Sequence, residues 1–222
     1  MELNTLAEFC KTNKVSYKLS EPMRRHTSFK IGGAADIFIS PESVEQLVLT
    51  LSACERITAP VFIIGNGSNI LVSDGGIEGA VISLAKMNGI TVNGNEITCL
   101  AGAPLSAVCK SALSASLTGL EFAYGIPGTA GGALYMNAGA YGGEMSDVIK
   151  SADYVTKEGD SGTLTANEMQ LGYRTSIFKN GDMIITQLTL KLKNGDKSEI
   201  EDKMKELTQK RRQKQPLEYP SA

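Results

Sequence analysis

A glycine-rich stretch at 125–144, GIPGTAGGALYMNAGAYGGE, constrains the fold more than any other feature of the sequence. Flexible linkers of similar glycine content are padded with serine and poor in apolar residues. Here apolar residues such as Leu134, Met136 and Tyr141 alternate with the glycines, so the stretch must also pack. Bare backbone in a packed segment indicates a flat ligand that the main chain approaches closely.

Small residues in this stretch are the candidate positions for a planar ring, and Pro127 stiffens the turn between them. The candidates are Gly125, Gly128, Thr129, Ala130, Gly131, Gly132 and the run Asn137-Ala138-Gly139-Ala140. Close packing of a helix on a sheet would also select small residues, so that alternative stays open.

A second glycine-rich element follows a short apolar strand predicted over Val61–Ile64; it comprises Gly65, Asn66, Gly67, Ser68 and Asn69. Consecutive N–H groups in such a turn form a nest for an anion, and phosphate is the natural guest. Because no helix follows, the turn is not a Rossmann motif. A ligand-free connection between strands is the alternative. Two such elements, one in each half of the chain, predict one extended ligand between them.

Composition excludes several classes of function. The 222 residues carry a net charge of −2, which gives no general electrostatic attraction to nucleic acid. The sequence shows neither a secretion signal nor an apolar run long enough to span a membrane. The four cysteines form no CxxC pair, which argues against zinc. We therefore expect a cytoplasmic protein that binds no nucleic acid, membrane or metal.

The order of predicted elements indicates an α+β protein of two lobes, joined near 85–90. A helix over 3–13 precedes a β-α-β unit, whose helix starts with Ser40 as N-cap and Pro41 in the first turn. The second half begins with a hairpin that turns at Asn93-Gly94. A helix over 104–117, a hairpin over 151–165, a strand over 182–195 and a closing helix from Ser198 complete it. Ile200, Met204 and Leu207 face inward on that last helix.

Six motifs in fixed order and spacing resemble the UDP-N-acetylenolpyruvoylglucosamine reductases, the MurB family of flavoproteins in peptidoglycan precursor synthesis. They are HTSFKIGGAAD, GNGSNILVSDGG, GAPLSAV, SLTGLEFAYG, YRTSIFK and RRQKQPLEYPSA, and they extend over about 25–222. The resemblance implies the two-lobed FAD-binding fold of the vanillyl-alcohol-oxidase and p-cresol-methylhydroxylase type. We expect lobe 1 over 1–86, lobe 2 over 87–215 and the start of a third domain at 216–222.

The resemblance also implies a cofactor and the residues that bind it. The FAD pyrophosphate is expected on 65–69, and the isoalloxazine ring beside 125–143. The implied cofactor-binding residues are Gly65, Asn66, Gly67, Ser68, Asn69, Gly125, Pro127, Gly128, Thr129, Gly131, Gly132 and Asn137.

The implied reaction has two halves, in which NADPH reduces FAD and hydride then passes to the enolpyruvyl group of a UDP-sugar. Arg174 is the implied catalytic residue, since a fixed guanidinium suits a developing enolate or carboxylate. We expect it between a loop and a strand that starts at Ile177. Lys214 is implied to lie toward the substrate. His26, the sole histidine, is expected to be structural.

The sequence departs from the family's pattern after YPSA, where the family continues into a proton-donating serine and a substrate domain. A truncated form of a longer enzyme is the favoured explanation, and a shortened paralogue is the alternative. In both cases we expect a chain that binds FAD but is incomplete for catalysis, and we also expect a monomer. A flavin-binding module without turnover is the alternative. A related FAD oxidase is a third, but the flavin segments offer no cysteine or histidine for covalent attachment.

Overall fold

Two β-sheets organise the protein, whose computed structural model describes residues 2–215 and 219–220. The helices are α1 (Glu2–Thr12), α2 (Val44–Arg56), α3 (Leu105–Ser114), α4 (Ala130–Tyr135) and α5 (Lys197–Lys214). The strands are β1 (Ser16–Pro22), β2 (Ala34–Ser40), β3 (Val61–Ile64), β4 (Ile77–Ser83), β5 (Ile90–Asn93), β6 (Glu96–Leu100), β7 (Leu117–Thr118), β8 (Gly139–Ala140), β9 (Gly143–Glu144), β10 (Ile149–Thr156), β11 (Ser161–Thr165), β12 (Met183–Lys191) and β13 (Lys193–Asn194).

The first sheet has the strand order β1-β2-β4-β3. Its β2, β3 and β4 run parallel, while β1 pairs antiparallel with β2. The predicted β-α-β unit is confirmed as β2-α2-β3, with β4 inserted between its two strands. Leu47, Leu51 and Cys54 recur at helical spacing on α2 and are buried, which explains why this segment packs as a helix.

The start of α2 differs from the sequence prediction, which placed the N-cap at Ser40. Ser40 belongs to β2 and pairs with Ser16 of β1, so it stays in the sheet. Ser43 caps the helix instead, because its hydroxyl oxygen accepts a hydrogen bond from the N–H of Gln46 at 3.2 Å. The N-cap therefore lies three residues later than predicted.

The second sheet is antiparallel, with the strand order β11-β10-β12-β6-β5. The predicted hairpin of β5 and β6 is present, but its turn is shifted by one residue. Asn93 still pairs with Glu96, so Gly94 and Asn95 form the loop. Gly94 has a φ of +58°, which glycine adopts without steric cost.

Two further predictions for the second half have different outcomes. Ile200, Met204 and Leu207 on α5 are buried, as predicted. The predicted strand start at Ile177 is wrong, because Ile177–Asn180 forms a 3₁₀ turn that ends at Gly181. Gly181 has a φ of +102°, which breaks the turn before β12 begins.

One large cluster of buried side chains joins the two sheets, since Leu47, Leu51 and Ile82 from the first half pack with residues of the second. The chain passes between the halves through a 3₁₀ turn at Leu84–Lys86. A domain boundary at 86 stays a prediction, and the predicted third-domain start at 216–222 lies almost wholly outside the described residues. Within the described ranges, every helix is too short or too polar to cross a bilayer.

Candidate functional site

The glycine turn 65–69 directly follows β3 and rests on the chain segment around His26. Gly67 is buried, has a φ of +61°, and its carbonyl accepts a hydrogen bond from the N–H of Ser28 at 3.0 Å. A Cβ at Gly67 would stand only 1.9 Å from the carbonyl oxygen of His26. Glycine at this position therefore lets the turn close onto the main chain beneath it.

Free main-chain donors remain in this turn. Among the described residues, the N–H groups of Asn66, Gly67, Ser68 and Asn69 donate to no protein acceptor. The side chains of Asn66 and Ser68 make only a long contact of 3.4 Å, from Nδ2 to Oγ. The turn therefore has unused donors, as an anion nest requires.

The glycines of 125–132 serve two different purposes. Gly131 is buried, its N–H donates to the carbonyl of Ala101 at 2.8 Å, and an added Cβ would lie 2.7 Å from the Cβ of Ala101. Close packing of α4 on the end of β6 accounts for Gly131. Gly132 donates its N–H to Thr129 Oγ1, which caps α4. Gly128 has a φ of +147°, which glycine adopts readily, and an added Cβ would be in ordinary van der Waals contact with Ser68 Oγ at 3.9 Å.

The two glycine elements meet at Gly65 and Thr129. A Cβ at Gly65 would stand 2.4 Å from Thr129 Oγ1, and the nearest neighbour of Gly128 is Ser68 Oγ. Thr129 is buried, with 4% of its surface exposed. The halves of the chain thus come together where the two elements approach each other.

A cleft of about 290 Å³ opens along this junction. Five of the predicted site residues line it: Asn66, Gly125, Pro127, Gly128 and Thr129. The prediction did not include six others: Ala85, Gly102, Pro104, Ser106, Tyr124 and Ile126. Gly102, Pro104 and Ser106 belong to the GAPLSAV motif, so that motif marks a third wall of the cleft.

Arg174 projects from a tight turn toward the glycine turn. The N–H groups of Gly172 and Thr175 each donate to the other residue's carbonyl at 3.2 Å, which leaves Tyr173 and Arg174 at the tip. The exposed guanidinium donates through Nη2 to the side-chain oxygen of Asn69 at 2.8 Å. The predicted catalytic residue is therefore brought to the predicted pyrophosphate turn.

Asn137 braces the Arg174 turn from inside the protein. Its side-chain nitrogen donates to the carbonyl of Gly172 at 3.1 Å, and its side-chain oxygen accepts from the N–H of Ser146 at 2.9 Å. Only 3% of Asn137 is exposed. Its amide is thus committed to the backbone of two neighbouring segments.

Lys214 lies exposed in the last turn of α5. Arg211, three residues earlier and on a neighbouring face of the helix, has its Cδ 3.1 Å from the position of a Cβ at Gly125. The end of α5 therefore brings one basic side chain, that of Arg211, to Gly125 in the lining of the cleft.

His26 lies under the glycine turn and not in the cleft lining. Its ring stacks on Phe38 with centroids 4.0 Å apart, and Nε2 is 2.9 Å from the buried carboxylate of Glu21. Burial raises the pKa of Glu21, but hydrogen bonds from His26 and Lys18 outweigh burial and leave it below its usual value. This arrangement agrees with the structural role expected for His26.

Comparison with known proteins identifies the family. A family model for an FAD binding domain matches residues 35–165. A UDP-N-acetylenolpyruvoylglucosamine reductase from Clostridium perfringens is 47% identical over 225 residues, which cover 99% of this chain and 74% of the relative. The chain belongs to the UDP-N-acetylenolpyruvoylglucosamine reductase family. The family predicted from the motifs is thereby confirmed.

Solved structures confirm the predicted fold class of this reductase-family chain. The MurB reductase of Thermus caldophilus superposes with a TM-score of 0.76 at 33% identity, covering 91% of this chain and 70% of the other. Cholesterol oxidase from Brevibacterium sterolicum gives a TM-score of 0.64 at 16% identity, with coverage of 82% and 38%. That second similarity concerns the fold alone, which is the two-lobed FAD-binding fold.

The geometry of the junction fits the cofactor of such a domain. An FAD pyrophosphate needs several N–H donors at a turn, and the four N–H groups of 66–69 have no acceptor in the part of the chain that the structure describes. The flavin ring needs a wall without side chains, and Gly125 and Gly128 line the cleft. The residues present therefore suit FAD at both ends of the junction.

Proposed function

We propose that this chain is an FAD-dependent reductase that uses NADPH to convert UDP-N-acetylglucosamine enolpyruvate to UDP-N-acetylmuramate. This is a step of peptidoglycan precursor synthesis, and so of cell wall formation, cell shape and cell division. The observation that carries the proposal is the meeting of three elements at one place. The turn 65–69 touches Thr129 of the second glycine element, and it holds Arg174 through Asn69.

FAD is proposed to lie along this junction, where it supplies the hydride chemistry when bound. The N–H groups of 66–69 would hold the pyrophosphate, while Gly125, Pro127, Gly128 and Thr129 shape the wall for the ring. Gly65 allows the close approach to Thr129. For Gly131, Gly132 and Asn137 the contacts favour an indirect part: packing α4, capping α4 and bracing the Arg174 turn.

Arg174 is proposed to stabilise the negative charge that develops on the enolpyruvyl group. A guanidinium has five N–H donors, and the bond to Asn69 uses one of them. The other donors stay available for the carboxylate and enolate oxygens of a substrate. A preorganised donor of this kind lowers the barrier because it is already oriented when charge builds up.

Lys214 is proposed to assist in holding the anionic sugar nucleotide at the rim beside Gly125. Its ammonium group is a point charge on a flexible stem, which suits attraction of a diphosphate more than precise orientation. We further propose that the protein works as a cytoplasmic monomer on small molecules, without nucleic acid or membrane partners.

Turnover by the purified chain tests the proposal. The protein should show the two-banded absorption of bound flavin, and sustained NADPH oxidation should depend on the enolpyruvyl sugar nucleotide. NADH in place of NADPH establishes the preferred reductant. Flavin that NADPH reduces but the sugar nucleotide does not reoxidise would favour a flavin-binding module without turnover. Protein that binds no flavin would contradict both the reductase and the flavin-binding module without turnover.

The two half-reactions test Arg174 separately. In Arg174→Ala, flavin reduction by NADPH should keep its rate while reoxidation slows about 10²–10³-fold, since one preorganised donor is worth roughly 3–4 kcal/mol. Arg174→Lys should recover part of the loss, because lysine offers charge without the fork. Arg56→Ala, an exposed arginine on α2, serves as the control. Equal slowing of both half-reactions would argue for a merely structural arginine.

A further inference from the structure

Arg174 occupies a backbone conformation that its side chain does not favour. It is the third residue of the tight turn 172–175 and has a φ of +51°. Residues other than glycine or asparagine rarely adopt this left-handed region, and they do so only where surrounding contacts hold them. The question is therefore which contacts hold Arg174 in place.

Separate contacts hold the backbone and the side chain. Buried Asn137 binds the carbonyl of Gly172, and Lys179 Nζ donates to the carbonyl of Arg174 at 3.2 Å. These bonds orient the turn but not the guanidinium. Within the ranges that the structure describes, the guanidinium has one hydrogen-bond partner, the side-chain oxygen of Asn69.

The chemistry of that partner matters. An amide oxygen orients a guanidinium without neutralising its charge, whereas a carboxylate would form an ion pair and compete with an anionic substrate. No carboxylate in the described part of the chain forms a salt bridge with Arg174. The contact with Asn69 therefore orients the guanidinium and leaves its full positive charge available to an anionic substrate.

We propose that Asn69 is a positioning residue for Arg174, which it holds toward the substrate through its side-chain oxygen. This inference rests on the proposed function of Arg174. Asn69 also belongs to the turn 65–69, whose N–H groups from Asn66 to Asn69 donate to no acceptor among the residues described. Asn69 therefore links the binding of phosphate at the turn 65–69 to the orientation of Arg174. Such linkage is reciprocal.

Side-chain NMR of the flavin-free protein tests the contact without any turnover. The Nε–H signal of Arg174 is assigned by its loss in Arg174→Lys. Asn69→Leu, which removes the acceptor at similar size, should shift this signal and give it the relaxation of a mobile side chain. Asn69→Asp, which keeps an acceptor oxygen, should preserve its restricted motion. Asn93→Leu, at an exposed asparagine in the β5–β6 hairpin, is the control.

A double-mutant cycle tests the catalytic consequence. Asn69→Leu alone should slow flavin reoxidation by the enolpyruvyl sugar nucleotide roughly tenfold or more, since small misplacement of a catalytic group is costly. In an Arg174→Ala background, the same change should slow it less than about twofold, because its target is gone. Asn66→Leu, in the same turn but without contact to Arg174, should weaken flavin binding without this selective loss.

The outcomes separate this inference from the proposed function. If Arg174→Ala does not affect reoxidation, the catalytic assignment of Arg174 fails. If Arg174→Ala slows reoxidation but Asn69→Leu does not, the positioning role of Asn69 is overturned, while the catalytic role of Arg174 stands. Additive losses in the double variant would overturn the inference, because Asn69 would then act independently of Arg174. Should Asn69→Leu bind no flavin, the NMR signal still decides, and an unchanged Arg174 signal overturns the inference.

Discussion

Gly65 and Thr129 approach each other so closely that a Cβ on Gly65 would stand 2.4 Å from Thr129 Oγ1. The two residues belong to different glycine elements, and their approach closes the cleft at its junction. Since φ of Gly65 is not in the left-handed region, the reason for glycine here is space and not backbone conformation.

Gly65→Ala should destabilise the flavin-free protein by about 1–3 kcal/mol, the usual cost of overpacking a well-packed site. Thr129→Ala should cost about 1 kcal/mol through loss of the α4 cap. The double variant should cost less than the sum, because Thr129→Ala removes both Oγ1 and Cγ2 and leaves only the Cβ, 3.5 Å from the new methyl group. Urea unfolding measures all three, and simple additivity would show that the two side chains do not meet.

Gly67→Ala should be more harmful than Gly94→Ala, although both glycines have nearly the same φ, +61° and +58°. A Cβ at Gly67 meets the His26 carbonyl, whereas nothing lies within 4 Å of one at Gly94. We expect about 1 kcal/mol for Gly94→Ala from backbone strain alone. Gly67→Ala should cost at least about 1 kcal/mol more, and it should weaken flavin binding.

Unfolding free energies and flavin titration of the two variants check this pair. Equal costs would mean that strain alone sets the requirement for glycine in the turn. A Gly67→Ala variant that is destabilised but binds flavin as tightly as the wild type would remove the turn from the cofactor site.

Glu21 should contribute stability that is lost in acid. Its pKa lies below the usual value, because hydrogen bonds from His26 and Lys18 outweigh burial, which acts in the opposite direction. Folding therefore favours the ionised carboxylate, and its contribution is complete above the ordinary carboxyl pKa. As the pH falls through the lowered pKa in the folded state, the contribution disappears.

Glu21→Gln should lower the unfolding free energy at neutral pH by about 1.5–3 kcal/mol, the usual value for hydrogen bonds to a buried charged group. The difference from wild type should shrink as the pH is lowered. Glu206→Gln, at an exposed carboxylate on α5, should have little effect because solvent screens it. A pH-independent difference for Glu21→Gln would show that its charge is not involved.

The four cysteine thiols should be unreactive in the folded protein. Burial raises their pKa values, to about 11 for Cys10 and to about 12 for Cys54, Cys99 and Cys109. At pH 8 the thiolate fraction at a pKa of 12 is about one in 10⁴, and the thiolate is the reactive form. A disulfide reagent at pH 8 should react with all four in urea and with none rapidly in the native state. Fast native reaction of any one thiol would contradict its burial.

Much of the architecture was predictable from local patterns. Helical spacing of apolar residues identified α2 and α5, and the alternation around a glycine identified the β5–β6 hairpin. Glycine and small polar residues identified the turn 65–69 and five residues of the cleft. These signals are local because turn conformation, capping and amphipathic faces depend on residues only a few positions apart.

Local patterns gave a wrong prediction at two places, the N-cap of α2 and the segment after Ser176. Ser40 and Ser43 can both cap a helix. Ser43 is the N-cap because Ser40 pairs with Ser16 of β1 and stays in the sheet. The predicted strand at Ile177 is a 3₁₀ turn, because the N–H of Ile177 binds the carbonyl of Met169 and Gly181 ends the turn. In both cases a tertiary or neighbouring contact outweighed a weak local preference.

The sequence by itself determined which residue types could bind an anion, line a flat ring or meet an enolate, since these properties belong to the side chains and to glycine. Only the tertiary structure decided which of them meet. It placed β4 between β2 and β3, set Gly65 against Thr129, and joined Asn69 to Arg174 across 105 positions of the chain. Such contacts join residues that are far apart in the sequence, and they depend on how the two sheets pack around a shared core. A local pattern of residues does not encode them.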